Sequence, residues 1–171
     1  MILILGKNKF LAQRYFSNVI DYSIYLGLVA ICIYTLGETN DAGGFSLTGP
    51  KALAMPLLWI LYFPVCESVF RQTFGKKVFH LYVIDSRGES ASIVQTFLRH
   101  VLDFFELMFM GLPSLLSINY SDKNLRIGDR MADTRVISPF AACRFCGVEL
   151  ELTSKEVVNN MFICPKCGEV N

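Results

Sequence analysis

Apolar positions along this chain come in three long runs separated by short polar intervals, and only the C-terminal part breaks that rhythm. The first run is Tyr15 to Leu36; from Val19 it continues for eighteen residues with Asp21 as its only charge. That length predicts a helix able to cross about 30 Å of hydrocarbon. The second run, Ala52 to Phe70, is interrupted by Pro56 and Pro64 and carries Glu67 near its end. Membrane helices tolerate such prolines where neighbours satisfy the freed carbonyls. The glycine-rich stretch between them, Gly37 to Pro50, is a loop with acids and no base. Residues 1–14 read as a short cytosolic lead-in with Lys7, Lys9 and Arg14. The opening apolar run, Met1 to Leu5, is too short for a secretory signal, so insertion is expected from the internal segments.

After the second run, Arg71 to Ala91 holds Arg71, Lys76, Lys77, His80 and Arg87. Val78 to Asp85 is rich in β-branched and aromatic residues and precedes a Ser86-Arg87-Gly88 turn, which predicts a strand. The positive-inside rule puts this basic loop and the N-terminus in the cytosol, with the acidic glycine loop outside. The third run, Ile93 to Ile118, carries Arg99, His100, Asp103 and Glu106 in its first half, and Gly111 and Pro113 break its remainder. Its uncharged part suits a re-entrant or in-plane helix better than a third crossing, because apolar runs of roughly 10–14 residues rarely span. Thr134 to Ser138 reads as a short strand able to pair with Val78 to Asp85. No internal repeat is visible.

Composition strengthens the membrane reading. Apolar residues make up 53% and charged residues 18%, mean hydropathy is +0.42, and 14 Phe and 7 Tyr exceed what a soluble core of this size needs. The net charge of +1 gives no bulk attraction for nucleic acid. Intrinsic disorder and a collagen-like fibre are excluded.

Beyond Pro139 the chain changes character, which places a boundary between a membrane domain (1–138) and a small C-terminal module (139–171). There Cys143-Arg-Phe-Cys146-Gly and Cys164-Pro-Lys-Cys167-Gly are separated by seventeen residues. Two residues between cysteines let both thiolates turn onto one ion, and Gly147 and Gly168 permit the positive φ of a tight knuckle. Four sulfurs close a tetrahedral zinc site with no open position for substrate, so the expected cofactor is structural Zn²⁺ in a β-type zinc ribbon. Two disulfides or a redox dithiol pair are the competing readings. Disulfides need an oxidising compartment, which the charge asymmetry disfavours. The module holds three bases (Arg144, Lys155, Lys166) against four acids (Glu149, Glu151, Glu156, Glu169), which disfavours phosphate binding. Cys32 and Cys66 lie in the apolar runs and read as packing residues.

The ionisable residues inside the apolar runs are the second candidate site. Arg14 and Asp21 lie two turns apart on one helix face, and Glu67 falls at similar depth on the second helix. Arg99 and Asp103 form an i,i+4 pair that could join them. A carboxylate inside a membrane costs roughly 2.5–3.5 kcal/mol, so each should have a partner or a task. The group reads either as a structural cluster tying helices together or as a cation- or proton-handling site. A transport site usually lies nearer the midplane between repeated halves.

With these residues in place, the chain resembles the RDD family of small bacterial membrane proteins, named for an arginine and two aspartates. Arg14 and Asp21 in RYFSNVID match the first pair. The stretch RQTFGKKVFHLYVIDSRGES resembles the family's glycine- and lysine-rich motif, through Gln72, Gly75, Lys76, Lys77, Asp85 and Gly88. Arg99 matches the arginine opening the third segment. IGDRMADTRVI resembles the closing motif, with Asp129 as the second aspartate and Thr134 as its threonine. Gly128 stands where the family usually has histidine, and Asp133 where it often has glycine. The resemblance covers residues 10–138 and implies a plasma-membrane location with a loose expectation of transport, but no reaction.

The expected architecture is therefore an α-helical integral membrane domain, with two spans and a third re-entrant or spanning helix, carrying a cytosolic zinc ribbon. No catalytic constellation appears, and His80 and His100 read as isolated. The expected function is a membrane-anchored binding module engaging a protein partner or a second copy; the competing expectation is a small oligomeric transporter of a monovalent cation or proton through Asp21.

Overall fold

The computed structural model describes residues 7–39, 43–101, 125–159 and 161–170. Helix α1 (Lys7–Leu36) is about 45 Å long at 1.5 Å per residue. It starts well before the expected Tyr15 and takes in residues 7–14 of the expected lead-in. Arg14 does not end the helix because its charge is buried and paired within the chain. A small antiparallel pair, β1 (Glu38–Thr39) and β2 (Phe45–Ser46), leads into helix α2 (Gly49–Phe70). This second helix opens with a 3₁₀ turn containing Pro50 and widens to π geometry over Leu61–Val65, around Pro64. The segments Lys9–Leu36 and Gly49–Phe70 are both long and apolar enough to cross a membrane.

Beyond α2 lie a short helix α3 (Phe74–Val78), strand β3 (Tyr82–Asp85) and helix α4 (Ile93–Val101). Then come helix α5 (Ile127–Met131), strand β4 (Thr134–Ile137), strands β5 (Phe140–Ala142) and β6 (Glu149–Glu151), and helix α6 (Ser154–Asn159). The expected strand over 78–85 is shorter than its sequence suggests, because residues 74–78 close a helical turn first. Its partner is the expected one: β3 pairs antiparallel with β4, Val83 opposite Val136 and Asp85 opposite Thr134. Asp85 fixes the turn by accepting from the backbone N–H of Arg87 and Glu89. Expectations for Asp103 and Glu106, and the course of the third run past residue 101, lie outside the described residues.

The helices are built inside out. Helix α4 buries Thr96, Arg99 and His100 and exposes Ile93, Val94, Phe97, Leu98 and Val101. On α1, Arg14, Ser17 and Asp21 face inward while Tyr15, Phe16, Leu26, Ile31 and Tyr34 face outward. Apolar burial favours the reverse in water; exposed apolar faces around a paired polar interior suit a hydrocarbon solvent.

The two-stranded sheet is covered on both faces. Val83 and Val136 pack with Phe10, Leu81 and Ala91 toward the helices. Ile84 and Ile137, alternating to the other face, pack with Ala141, Leu152, Val157 and Phe162 of the C-terminal module. One core therefore runs across the change of sequence character at Pro139.

Two short segments share a local geometry that their sequences do not advertise. Thr73 and Arg126 are extended N-caps of α3 and α5, and each helix has glycine at its second position. Five residues after that glycine, His80 (φ 52°) and Asp133 (φ 50°) adopt left-handed backbone before the strand. Both glycines seat their helix against another helix: a Cβ on Gly75 would lie 2.2 Å from the Ser17 carbonyl oxygen, and one on Gly128 2.4 Å from that of Arg99. FGKKVFHLYVI and IGDRMADTRVI share few identities, so the likeness lies in backbone geometry.

Candidate functional site: a buried charge network and a four-cysteine centre

Where α1, α2, α3, α4 and α5 meet, buried charges from the apolar runs and from the segments beside them form one network. Asp21 lies at one end. Its carboxylate accepts from the Tyr62 hydroxyl (2.8 Å), the Thr73 hydroxyl (2.5 Å) and the Gly75 N–H (2.7 Å). The Lys76 ammonium lies 3.8 Å from Asp21 and 2.8 Å from Glu67 Oε1, bridging the two carboxylates. Glu67 Oε2 lies 3.0 Å from His100 Nε2 and 3.6 Å from Arg99 Nε. Arg99 Nε is also 3.4 Å from Asp129 Oδ1, and Arg14 Nη2 donates to Asp129 Oδ2 at 2.8 Å.

Asp129 owes its position to local chemistry as well. It sits in the first turn of α5 and accepts from the N–H of the N-cap residue Arg126 at 3.1 Å. Burial alone would raise its pKa, but the guanidiniums of Arg99, Arg14 and Arg126 outweigh that and hold the carboxyl well below its ordinary value. Each carboxylate thus meets a cation from a different element, which is what makes burial tolerable.

Arg14, Asp21, Glu67, Arg99 and Asp129, singled out from the sequence, all join this network. The pairing differs from the expectation in one respect: Arg14, although on the Asp21 face, reaches Asp129 instead. Thr134 does not join; it is buried opposite Asp85, and its hydroxyl has no hydrogen-bond partner among the described residues. Lys76 and His100 were missed. Lys76 reads as one more base of a cytosolic loop until the turn at Thr73 folds it back. His100 is far from isolated: it is buried beside Glu67 and adjoins Arg99 on α4.

The four cysteines converge as their spacing predicts. Each knuckle makes the same two backbone bonds. The Gly147 N–H donates to the Cys143 carbonyl and the Cys143 N–H to that of Val148. The Gly168 N–H donates to the Cys164 carbonyl and the Cys164 N–H to that of Glu169. Gly147 and Gly168 have φ of 69° and 75°, which a side chain would oppose. Across the knuckles, Cys143 and Cys167 sulfurs are 3.6 Å apart, as are those of Cys146 and Cys164. All four lie within 4.8 Å of one another. A disulfide has sulfurs about 2.05 Å apart. A tetrahedral ion with Zn–S bonds of about 2.3 Å needs edges near 3.8 Å. The donor set therefore fits a metal ion held by all four residues.

The sequence model of the RDD family matches residues 10–133, which takes in the whole charge network and stops one residue short of Thr134. None of the curated proteins and none of the solved structures matches the chain.

Proposed function

Given that the chain belongs to the RDD family, we propose that it is a membrane-anchored binding module whose zinc ribbon engages a protein partner on the cytosolic side of the plasma membrane. The metal is assigned as zinc because four thiolates in a closed tetrahedral set suit it. No catalytic reaction is assigned. The observation that carries the reading is the shared core of Ile84, Ile137, Ala141, Leu152, Val157 and Phe162. It holds the ribbon in a defined orientation on a sheet whose other face packs on the membrane helices, as suits a surface presented for docking.

The transport reading has one observation of its own: Asp21, Lys76, Glu67 and His100 form a contiguous buried chain of titratable groups. Against it, Asp21 is already held by three donors and an ammonium of the same chain. A path through Asp21 would have to break them.

A reporter fused after Asn171, read together with thiol labelling and zinc content of the purified protein, tests the proposal. The expected result is a cytosolic end, one zinc per four cysteines, and loss of both zinc and partner capture in Cys164→Ser with membrane insertion intact. An external C-terminus would overturn it. Cation flux in reconstituted vesicles that disappears in Asp21→Asn would favour transport.

A further inference from the structure

Helices α3 and α5 carry the same pattern of exposure. In Phe74-Gly-Lys-Lys-Val78 and Ile127-Gly-Asp-Arg-Met131 the second and third residues are buried and the other three exposed. The glycine seats the helix, and the following charge, Lys76 or Asp129, enters the buried network. What each helix turns outward is an apolar pair at i,i+4 with one cation between them. Phe74 and Val78 are 60% and 52% exposed beside Lys77, and Ile127 and Met131 are 45% and 59% exposed beside Arg130. Neither Lys77 nor Arg130 has an ion-pair partner among the described residues. Asp133, the nearest exposed acid in sequence to Arg130, accepts from the Ser86 hydroxyl.

Both helices are tied to one stretch of α1, residues 14–21. Gly75 abuts the Ser17 carbonyl and Asp129 binds Arg14, one turn apart. Along that stretch α1 turns Tyr15 and Phe16 outward, and α2 ends in exposed Val69 and Phe70 only a few residues before α3. Exposed aromatics at one end of a span mark the height where hydrocarbon gives way to headgroups. An element held there with an apolar pair outward and a cation beside it suits both layers: the apolar pair enters the acyl boundary, and the cation meets phosphate.

We propose that α3 and α5 form two equivalent feet that lie in the membrane interface and bind anionic phospholipid headgroups through Lys77 and Arg130. The proposal rests on the chain being a membrane protein, not on the zinc ribbon or its partner. The occupant is the leaflet into which the neighbouring ends of α1 and α2 already run, so these surfaces continue one lipid-facing belt. The buried residue of each foot anchors it to the network, which holds the exposed cation at fixed height.

The test uses the full chain in phosphatidylcholine vesicles containing a minor fraction of dibrominated phosphatidylglycerol or dibrominated phosphatidylcholine. Tryptophan is introduced as Phe74→Trp or Met131→Trp, with the wild type, whose one tryptophan is Trp59, as baseline. The added fluorescence should be quenched by either lipid, with half-quenching at an about fivefold lower mole fraction of the brominated phosphatidylglycerol. Lys77→Gln in the first variant and Arg130→Gln in the second should erase that preference and leave quenching by the neutral lipid. Equal quenching by both lipids without these changes would overturn the headgroup assignment. Absence of quenching would overturn the interfacial placement, red-shifted emission then meaning water and blue-shifted emission a covering protein surface. Should one variant fail to reconstitute, the tryptophan variant of the other foot decides.

Discussion

Arg14 and Asp129, separated by 115 positions in sequence, meet at 2.8 Å in the buried interior, one on a long helix and the other in the first turn of a short one. Asp21, the other aspartate on an inward helix face, is tied to them among the described residues through Lys76, Glu67 and Arg99.

Removing one member of that pair should be far worse than removing both. Asp129→Leu leaves the Arg14, Arg99 and Arg126 guanidiniums around an apolar side chain, and a loss of about 3–5 kcal/mol is expected. Arg14→Met combined with Asp129→Leu should recover a measurable part of it. A double-mutant cycle from chemical unfolding in detergent checks this; strict additivity would show that the two charges are not coupled.

The same carboxyl sets a pH dependence. Its pKa is depressed in the folded state, so the stability it contributes is fully present above the ordinary aspartate value near 4 and is lost as pH falls below it. Melting temperature followed from pH 7 to pH 3 should fall at the acid end of that range. The Arg14→Met, Asp129→Leu double variant should show a shallower fall.

Glycines can be ranked by what surrounds them. A methyl on Gly75 would meet the Ser17 carbonyl oxygen at 2.2 Å and the Asp21 carboxyl carbon at 2.8 Å, whereas one on Gly27 meets nothing within 4 Å. Gly75→Ala should lower stability by about 1–3 kcal/mol or more through overpacking. Gly27→Ala, in mid-helix, should be neutral or stabilising by up to about 1 kcal/mol. Thermal unfolding of the two variants side by side is sufficient.

Asp133 offers a backbone test. With φ of 50° it occupies a conformation that glycine adopts without cost, and it also accepts from the Ser86 hydroxyl. Asp133→Gly should change stability by less than about 1 kcal/mol, while Asp133→Val should cost about 1–2 kcal/mol or more.

Metal removal should be felt beyond the knuckles. The ribbon shares a core with Ile84 and Ile137, so chelation or Cys146→Ser should raise amide exchange in β5, β6 and α6 and also weaken protection of β3 and β4. Hydrogen exchange with mass detection reads both regions in one experiment. Unchanged protection of Tyr82–Asp85 would show that the sheet holds without the ribbon.

Much of this was legible in local sequence because it rests on local chemistry. The two spans follow from apolar length, the β3–β4 partnership from β-branched runs beside turn residues, and the cysteine centre from a two-residue spacing followed by glycine. The candidate charges Asp21, Glu67 and Arg99 were visible because a charge in an apolar run is conspicuous, and Arg14 because it adjoins one; Asp129 was visible only through the resemblance to the family's closing motif. Lys76 and His100 were not, since a lysine in a basic loop and a histidine at a helix end look alike whether buried or solvated.

Tertiary structure alone decided who pairs with whom. Periodicity placed Arg14 and Asp21 on one helix face, but which carboxylate the guanidinium reaches depends on where α5 docks. That docking is set by the absent side chain of Gly128 against the Arg99 carbonyl, as α3 is set by Gly75 against Ser17. The shared core across Pro139 and the repeated helical feet arise in the same way, from backbone approach and strand alternation between segments far apart in the chain. The sequence pattern thus determined two helices long and apolar enough to cross a membrane and an appendage whose four cysteines could hold a metal ion. Only close packing, which brings together residues that local sequence cannot relate, determined that the polar interior is one continuous network.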